Sequence, residues 1–249
     1  MRLKLPDLAL LLACFLAIIF GFIRSGFAEP IYHEIHHPEG KGPFPAVIAL
    51  HTSGGFKTVK PLIKKYVGSG FTVYAPDFFT RHGLTPHTRM DSFDRYREDI
   101  EKELVEIVEL MGTNPKVDKN NLFAVGFSNG GFWVCFLTGR GKVNAGVSHY
   151  GVWKANMGRD IEIDPSDYFS KTSSPLLALH GDSDGTQGLR FAETVWDWIK
   201  ESGAPIETHI YEGADHAWDQ KNSRRWAYNA DVDKDSHNKT IAFFRKYMK

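Results

Sequence analysis

Cysteine is almost absent: Cys14 and Cys135 are the only two in 249 residues. No disulfide framework can organise such a chain, so its stability has to come from a core. An excess of one charge is missing too, because thirty Lys and Arg balance thirty Asp and Glu. No global field then draws the chain to nucleic acid or to an anionic membrane surface. From residue 31 onward there is no internal repeat, low-complexity tract or long Pro- or Ser-rich linker. That excludes a solenoid or a string of tethered modules and leaves one domain as the simplest organisation. A metal-ligand spacing is also lacking. His33, His36 and His37 crowd together without a matching carboxylate or cysteine. They read as surface histidines around an edge strand, and no metal or organic cofactor is expected.

The chain has no apolar run of the roughly 20 residues that cross a bilayer as a helix. What it has is a basic start, Arg2 and Lys4, then sixteen residues from Leu8 to Ile23, then small residues ending in Gly26-Phe27-Ala28. This is the layout of a cleaved export signal, with an uncleaved anchor as the alternative. The expected organisation is residues 1–28 as signal peptide and 29–249 as one catalytic domain. Localisation would be periplasmic or extracellular, with membrane contact only if the first segment is retained.

The apolar share is 42%, enough for a sizeable core. Strand-like runs fall at 46–50, 71–75, 122–126, 145–150, 176–180 and 206–211. They are nearly continuous apolar stretches, as expected of parallel strands covered on both faces. Helical patterns lie between them. Phe93, Tyr96, Ile100, Leu104, Ile107 and Met111 recur at steps of three and four, and 191–199 and 240–247 give two more. This alternation predicts an α/β fold, a mostly parallel doubly wound sheet with helices on both faces and no large lid domain. In such sheets functional groups gather in the loops at the carboxyl ends of the strands.

Three of those loops carry chemistry. After the run at 122–126 comes Gly126-Phe127-Ser128-Asn129-Gly130, the G-x-S-x-G pattern of a strand-to-helix elbow that exposes a serine nucleophile. The pattern alone is weak; its place after a buried strand gives it weight. The next run but one ends in Gly181-Asp182-Ser183-Asp184-Gly185. Asp184, further into the loop, is favoured to orient a histidine, and Asp182 to cap the turn. The last run leads to Glu212-Gly213-Ala214-Asp215-His216-Ala217-Trp218, with His216 as general base. The order Ser, Asp, His is that of α/β-hydrolases. Oxyanion donors are expected from the amide of Asn129 and from Ser53, in the loop His51-Thr52-Ser53-Gly54-Gly55-Phe56. That loop lacks the G-x-x-x-x-G-K-[ST] spacing of a phosphate cradle. Phe78, Phe79, Trp153 and Trp218 follow strands and are candidates for an apolar pocket, with Phe79 and Trp218 preferred. Cys135 is expected to be a packing residue.

Taken together, Pro76-Asp77-Phe78-Phe79, the Ser128 elbow, His180-Gly181-Asp182-Ser183-Asp184 and Gly213-Ala214-Asp215-His216-Ala217-Trp218 resemble the dienelactone hydrolase family of α/β-hydrolases. The resemblance spans nearly all of residues 31–249. It implies hydrolysis of a small ester or lactone. Two departures go together: Ser128 stands where the founding enzymes have cysteine, and Thr52 where they have a glutamate that controls the thiol. Arg81 matches an arginine that binds the substrate carboxylate in that family. The second such arginine is unmatched, with Gln220 near its place and Arg224 and Arg225 further on.

The expected reaction is acyl transfer through Ser128, His216 and Asp184 on a small-molecule ester or lactone. The alternatives are a general carboxylesterase or acyl-peptidase and, in another class, a non-catalytic binding protein on the same fold.

Overall fold

The computed structural model describes residues 29–156, 160, 161 and 163–249. The predicted signal peptide, residues 1–28, lies outside them. Among the described residues no helix is long and apolar enough to cross a membrane.

Seven strands form one sheet: β1 (His33–His36), β2 (Phe44–Leu50), β3 (Thr72–Pro76), β4 (Val117–Phe127), β5 (Ala145–His149), β6 (Leu176–Gly181) and β7 (Ile206–Tyr211). Their spatial order is β1-β3-β2-β4-β5-β6-β7, with β1 antiparallel to β3 and every other pairing parallel. Among the described residues five α-helices cover it: α1 (Lys60–Gly68), α2 (Arg97–Thr113), α3 (Asn129–Gly139), α4 (Leu189–Glu201) and α5 (Ala230–Lys246).

Two-residue alternation along the strands sorts the core into two layers. Ala46, Ile48 and Leu50 of β2 and Leu122 and Ala124 of β4 face the layer with α2, α3 and α4. Val47 and Ala49, with Phe123, Val125 and Phe127, face the layer with α1 and α5. Both faces are buried, so the central strands have no polar side. Among the strand runs expected from the sequence the exception is β7, whose Glu207 and Thr208 are exposed. It lies at the sheet edge, and its pattern is mixed rather than continuously apolar.

Two further elements extend beyond the expected ranges. β4 begins at Val117 because its polar start still pairs with β2, Phe44 opposite Val117, across a register shift. α5 begins ten residues before the apolar run at 240–247. Asn229 caps it by accepting the Val232 amide at 3.1 Å. Its inward stripe continues backward through Thr240, Ser236 and Val232, small residues that hide a helical face from an apolar count.

Candidate active site

The carboxyl ends of β2, β4, β5, β6 and β7 converge on one cavity of about 270 Å³. Ser128 sits at its floor, in the turn between β4 and α3, with φ 53° and ψ −110°. That left-handed backbone is costly for a residue with a side chain and persists only where its surroundings enforce it. The enforcement is visible. A Cβ on Gly126 would meet the Gly130 backbone, and one on Gly130 would meet the Leu50 carbonyl. Glycine is therefore required at both places for β2, β4 and α3 to approach so closely. The Ser128 carbonyl accepts from the Gly131 and Val152 amides at 2.9 and 3.1 Å, and its own amide donates to His149 O.

His216 lies in the loop after β7, and its Nε2 is 2.9 Å from Ser128 Oγ. Its Nδ1 is 2.7 Å from Asp184 Oδ2. The other carboxylate oxygen, Oδ1, accepts the amides of Thr186 and Gln187 at 2.8 and 2.7 Å. Burial raises the Asp184 pKa, yet the hydrogen bond and charge of His216 outweigh it, and the net shift is downward. Asp184 is thus held as a carboxylate. His180 lies beneath it, 3.6 Å from Oδ2. Its Nε2–H donates to Gln187 O at 2.6 Å, and burial holds its pKa low, so it adds no competing cation. Asp182, the other acid of the loop, takes the Gly213 amide at 2.7 Å and ties the two loops together.

Ser53 shares the cavity with Ser128. The Asn129 side chain is committed to the core, donating to Ser92 Oγ and accepting from Trp133 Nε1. Only its backbone amide, at the first turn of α3, is left to face a ligand. The Thr52 hydroxyl donates to Thr58 Oγ1 at 3.1 Å and accepts the Gly54 amide at 3.0 Å, which fixes the shape of the Ser53 loop.

The structure does not bring the three expected substrate contacts into this cavity. Arg81 Nη1 donates to Glu103 Oε1 at 3.1 Å, and Glu103 is a buried residue of α2 that also holds His82 at 2.9 Å. Phe79 is buried against the His51 ring, centroids 4.9 Å apart. Trp218 is fully buried and donates to Ser236 Oγ, because the positive φ of Ala217 turns the chain inward after His216. The cavity wall contains other residues: Met90, Phe93 and Arg89 from the segment before α2, and Gln220, Arg225 and Trp226 from the segment before α5. Sequence reasoning passed over Arg89, which opens a four-residue 3-10 turn, and Trp226, which sits in an irregular segment, because neither has a periodicity or motif to flag it. Cys135 is buried in the core as expected.

The profile of the dienelactone hydrolase family matches residues 33–248. A curated Escherichia coli K12 protein, "Putative carboxymethylenebutenolidase", is 23% identical over 245 residues, 93% of this chain and 88% of its own. Among solved structures, a "Putative Dienelactone Hydrolase" from Klebsiella pneumoniae superposes with TM-score 0.73 at 21% identity, covering 86% of this chain and 92% of its own. A thermophilic esterase of Thermogutta terrifontis gives TM-score 0.65 at 17% identity, with 85% of each chain covered. The fold is that of an α/β-hydrolase. The chain belongs to the dienelactone hydrolase family.

Proposed function

We propose that this hydrolase cleaves a carboxylic ester or lactone through a Ser128 acyl-enzyme. The observation that carries the reading is the unbroken hydrogen-bond chain Ser128 Oγ to His216 Nε2 to Asp184, at 2.9 and 2.7 Å, with Ser128 in a strained elbow. His216 Nε2 takes the Ser128 proton as Oγ attacks the carbonyl carbon. Asp184 accepts from Nδ1–H and stabilises the imidazolium. The amides of Asn129 and Ser53 receive the oxyanion. The proton then passes from His216 to the leaving oxygen, and a water activated by the same histidine releases the acid.

The wall supports an anionic substrate. Arg89 and Arg225 line the cavity, and among the described residues no Asp or Glu does. Arg89 donates to the Pro86 carbonyl and Arg225 lies over the Trp226 ring, and neither is paired with a carboxylate of a described residue. Arg81 is withdrawn to Glu103, so the carboxylate-binding role passes to these two. The name of the E. coli relative, a carboxymethylenebutenolidase, denotes a lactone bearing a carboxylate.

The test is hydrolysis of short p-nitrophenyl esters and an anionic lactone, together with fluorophosphonate labelling. Ser128→Ala should lower kcat by about 10⁴-fold or more and abolish labelling. Wild type and variant equally inert to esters, lactone and probe would leave the chain a binding protein.

A further inference from the structure

His216 does not sit on a strand or helix. It belongs to an irregular stretch between β7 and α5, where no regular ladder holds the backbone in place. Its ring must nevertheless keep Nε2 on Ser128 while a proton moves out and back. Hydrogen bonds to Asp184 and Ser128 fix its two nitrogens, and what packs on its faces decides whether the ring can tilt away during the proton transfer.

From the core side the ring meets Tyr150, with centroids 5.0 Å apart. From the cavity side it meets Trp226, centroids 5.3 Å apart at an interplanar angle of 52°. Trp226 is itself tethered, for its Nε1–H donates to Thr186 Oγ1 at 3.1 Å. Thr186 lies two residues past Asp184, and its amide donates to Asp184 Oδ1 at 2.8 Å. Asp184 Oδ2 closes the circuit on His216 Nδ1. The ring of contacts runs His216, Asp184, Thr186, Trp226 and back to His216. It joins two loops that have no strand pairing with one another beyond β6 and β7.

We infer that Trp226 is a positioning residue, latching the histidine loop to the acid loop through Thr186. This rests on the hydrolase reading above and adds a residue to that site. Two physical effects follow from the geometry. The indole restricts rotation of the imidazole, so the near-attack arrangement is held before substrate arrives. It also covers the Asp184–His216 hydrogen bond from the cavity, and a charge-assisted bond kept from water is stronger. A residue that only walled the cavity would do neither.

The test uses Trp226→Phe, which keeps a ring and loses the N–H, and Thr186→Val, which keeps the shape and the amide and loses the acceptor. The double variant and Trp226→Ala complete the set. On p-nitrophenyl acetate and p-nitrophenyl butyrate, each single variant should lower kcat about tenfold by the same factor for both esters, with KM within about twofold. The double variant should be no worse than the weaker single, since both break one link. Trp226→Ala, which loses both cover and tether, should fall about a hundredfold. An activity-independent readout is solvent exchange of the His216 Nδ1 proton, read by NMR as a downfield resonance. It should be slow in wild type and accelerated in every variant.

Effects confined to KM, effects that scale with ester size, multiplying single defects, or unchanged proton exchange would each overturn the latch and leave Trp226 as wall. An inert wild type whose Nδ1 proton still exchanges slowly only when Trp226 and Thr186 are intact would sink the hydrolase reading and keep the latch.

Discussion

The two walls that flank Ser128 are built on opposite plans. After β3 the chain closes on itself. Asp77 takes the amides of Phe79 and Thr80 and the Thr80 hydroxyl, and His51 Nε2 stands 3.7 Å from it. Burial works against that carboxylate, but these donors outweigh it and drive its pKa well down. Four and five residues after Asp77, Arg81 and His82 both reach Glu103. The segment after β7 is looser: Ser223 Oγ takes the Arg225 and Trp226 amides, Asp215 takes the Ala227 amide, and Trp226 reaches Thr186. The 77–82 stretch satisfies its charges internally and is scaffold, while Arg89, further along the same segment, turns to the cavity and works with the second wall. The second leaves Arg225 and Gln220 facing the cavity and is where a substrate can be read. A cationic side chain near a site is informative only after its partner is known.

The largest expected effect breaks the scaffold wall. Glu103→Gln keeps the volume but leaves Arg81 and His82 without their carboxylate in a mostly buried setting. Removing one partner of such a pair should cost about 2 kcal/mol, softened by the exposure of Arg81, and lower the thermal midpoint by about 4–8 °C. Arg225→Ala on the other wall should shift stability by less than about 0.5 kcal/mol. Equal losses in the two variants, measured by calorimetry, would erase the contrast.

One partly buried acid, Asp219, anchors the looser wall, and it titrates in a usable range. Tyr150 donates to Asp219 at 2.5 Å, and Lys65, paired with Asp233, stands nearby. Burial raises the Asp219 pKa to about 6, with Asp233 adding to the rise and Tyr150 and Lys65 opposing it. The sign follows from linkage. Between about pH 4 and pH 6 the folded state holds a proton that the unfolded chain has released, so stability falls as pH rises through that window. Above it the penalty is constant. Asp219→Asn keeps an acceptor for Tyr150 and removes the penalty. It should be more stable than wild type at pH 8 and indistinguishable at pH 4. Denaturation midpoints whose difference does not change with pH would refute a perturbed Asp219.

How much of this could be seen in the sequence depends on whether a feature repeats. The central strands and the stripe from Ile100 to Met111 were legible because burial on two faces, or on one face of a helix, forces a period, although the helix starts only at Arg97 and the expected Phe93 and Tyr96 precede it. The Ser, Asp and His loops were legible because chemistry at strand ends fixes residue types in order, and the three side chains do meet. The pairing of Arg81 was not, although a signal was present. Glu103 falls three residues after Ile100 and four before Ile107, inside the apolar stripe of α2, where a carboxylate needs a buried partner. Trp226 and Arg89 carried no such mark. They reach the site through short, non-repeating stretches, a 3-10 turn for Arg89 and an irregular segment for Trp226, and no periodic pattern encodes them.

The smallest effect is the one that sharpens the contrast furthest. If the two walls divide their work as described, selectivity for an anionic ester over its neutral analogue belongs to Arg225 and Arg89. It should be insensitive to Arg81. Arg225→Ala and Arg89→Ala should each lower kcat/KM for an anionic lactone about tenfold, close to 1.4 kcal/mol of charge-assisted bonding in a partly exposed site. A neutral p-nitrophenyl ester should be unaffected within about twofold in both variants. Arg81→Ala should change both substrates by the same modest factor, through loss of the Glu103 tie rather than loss of a substrate contact. Screening gives an independent check, because the anionic preference should shrink as salt is raised from low to physiological strength, while the neutral ester is indifferent. Retained selectivity in the Arg225→Ala, Arg89→Ala double variant, with selectivity lost in Arg81→Ala, would reverse the assignment. It would mean that Arg81 leaves Glu103 to meet the substrate, and that the wall after β3 is not closed when the enzyme works.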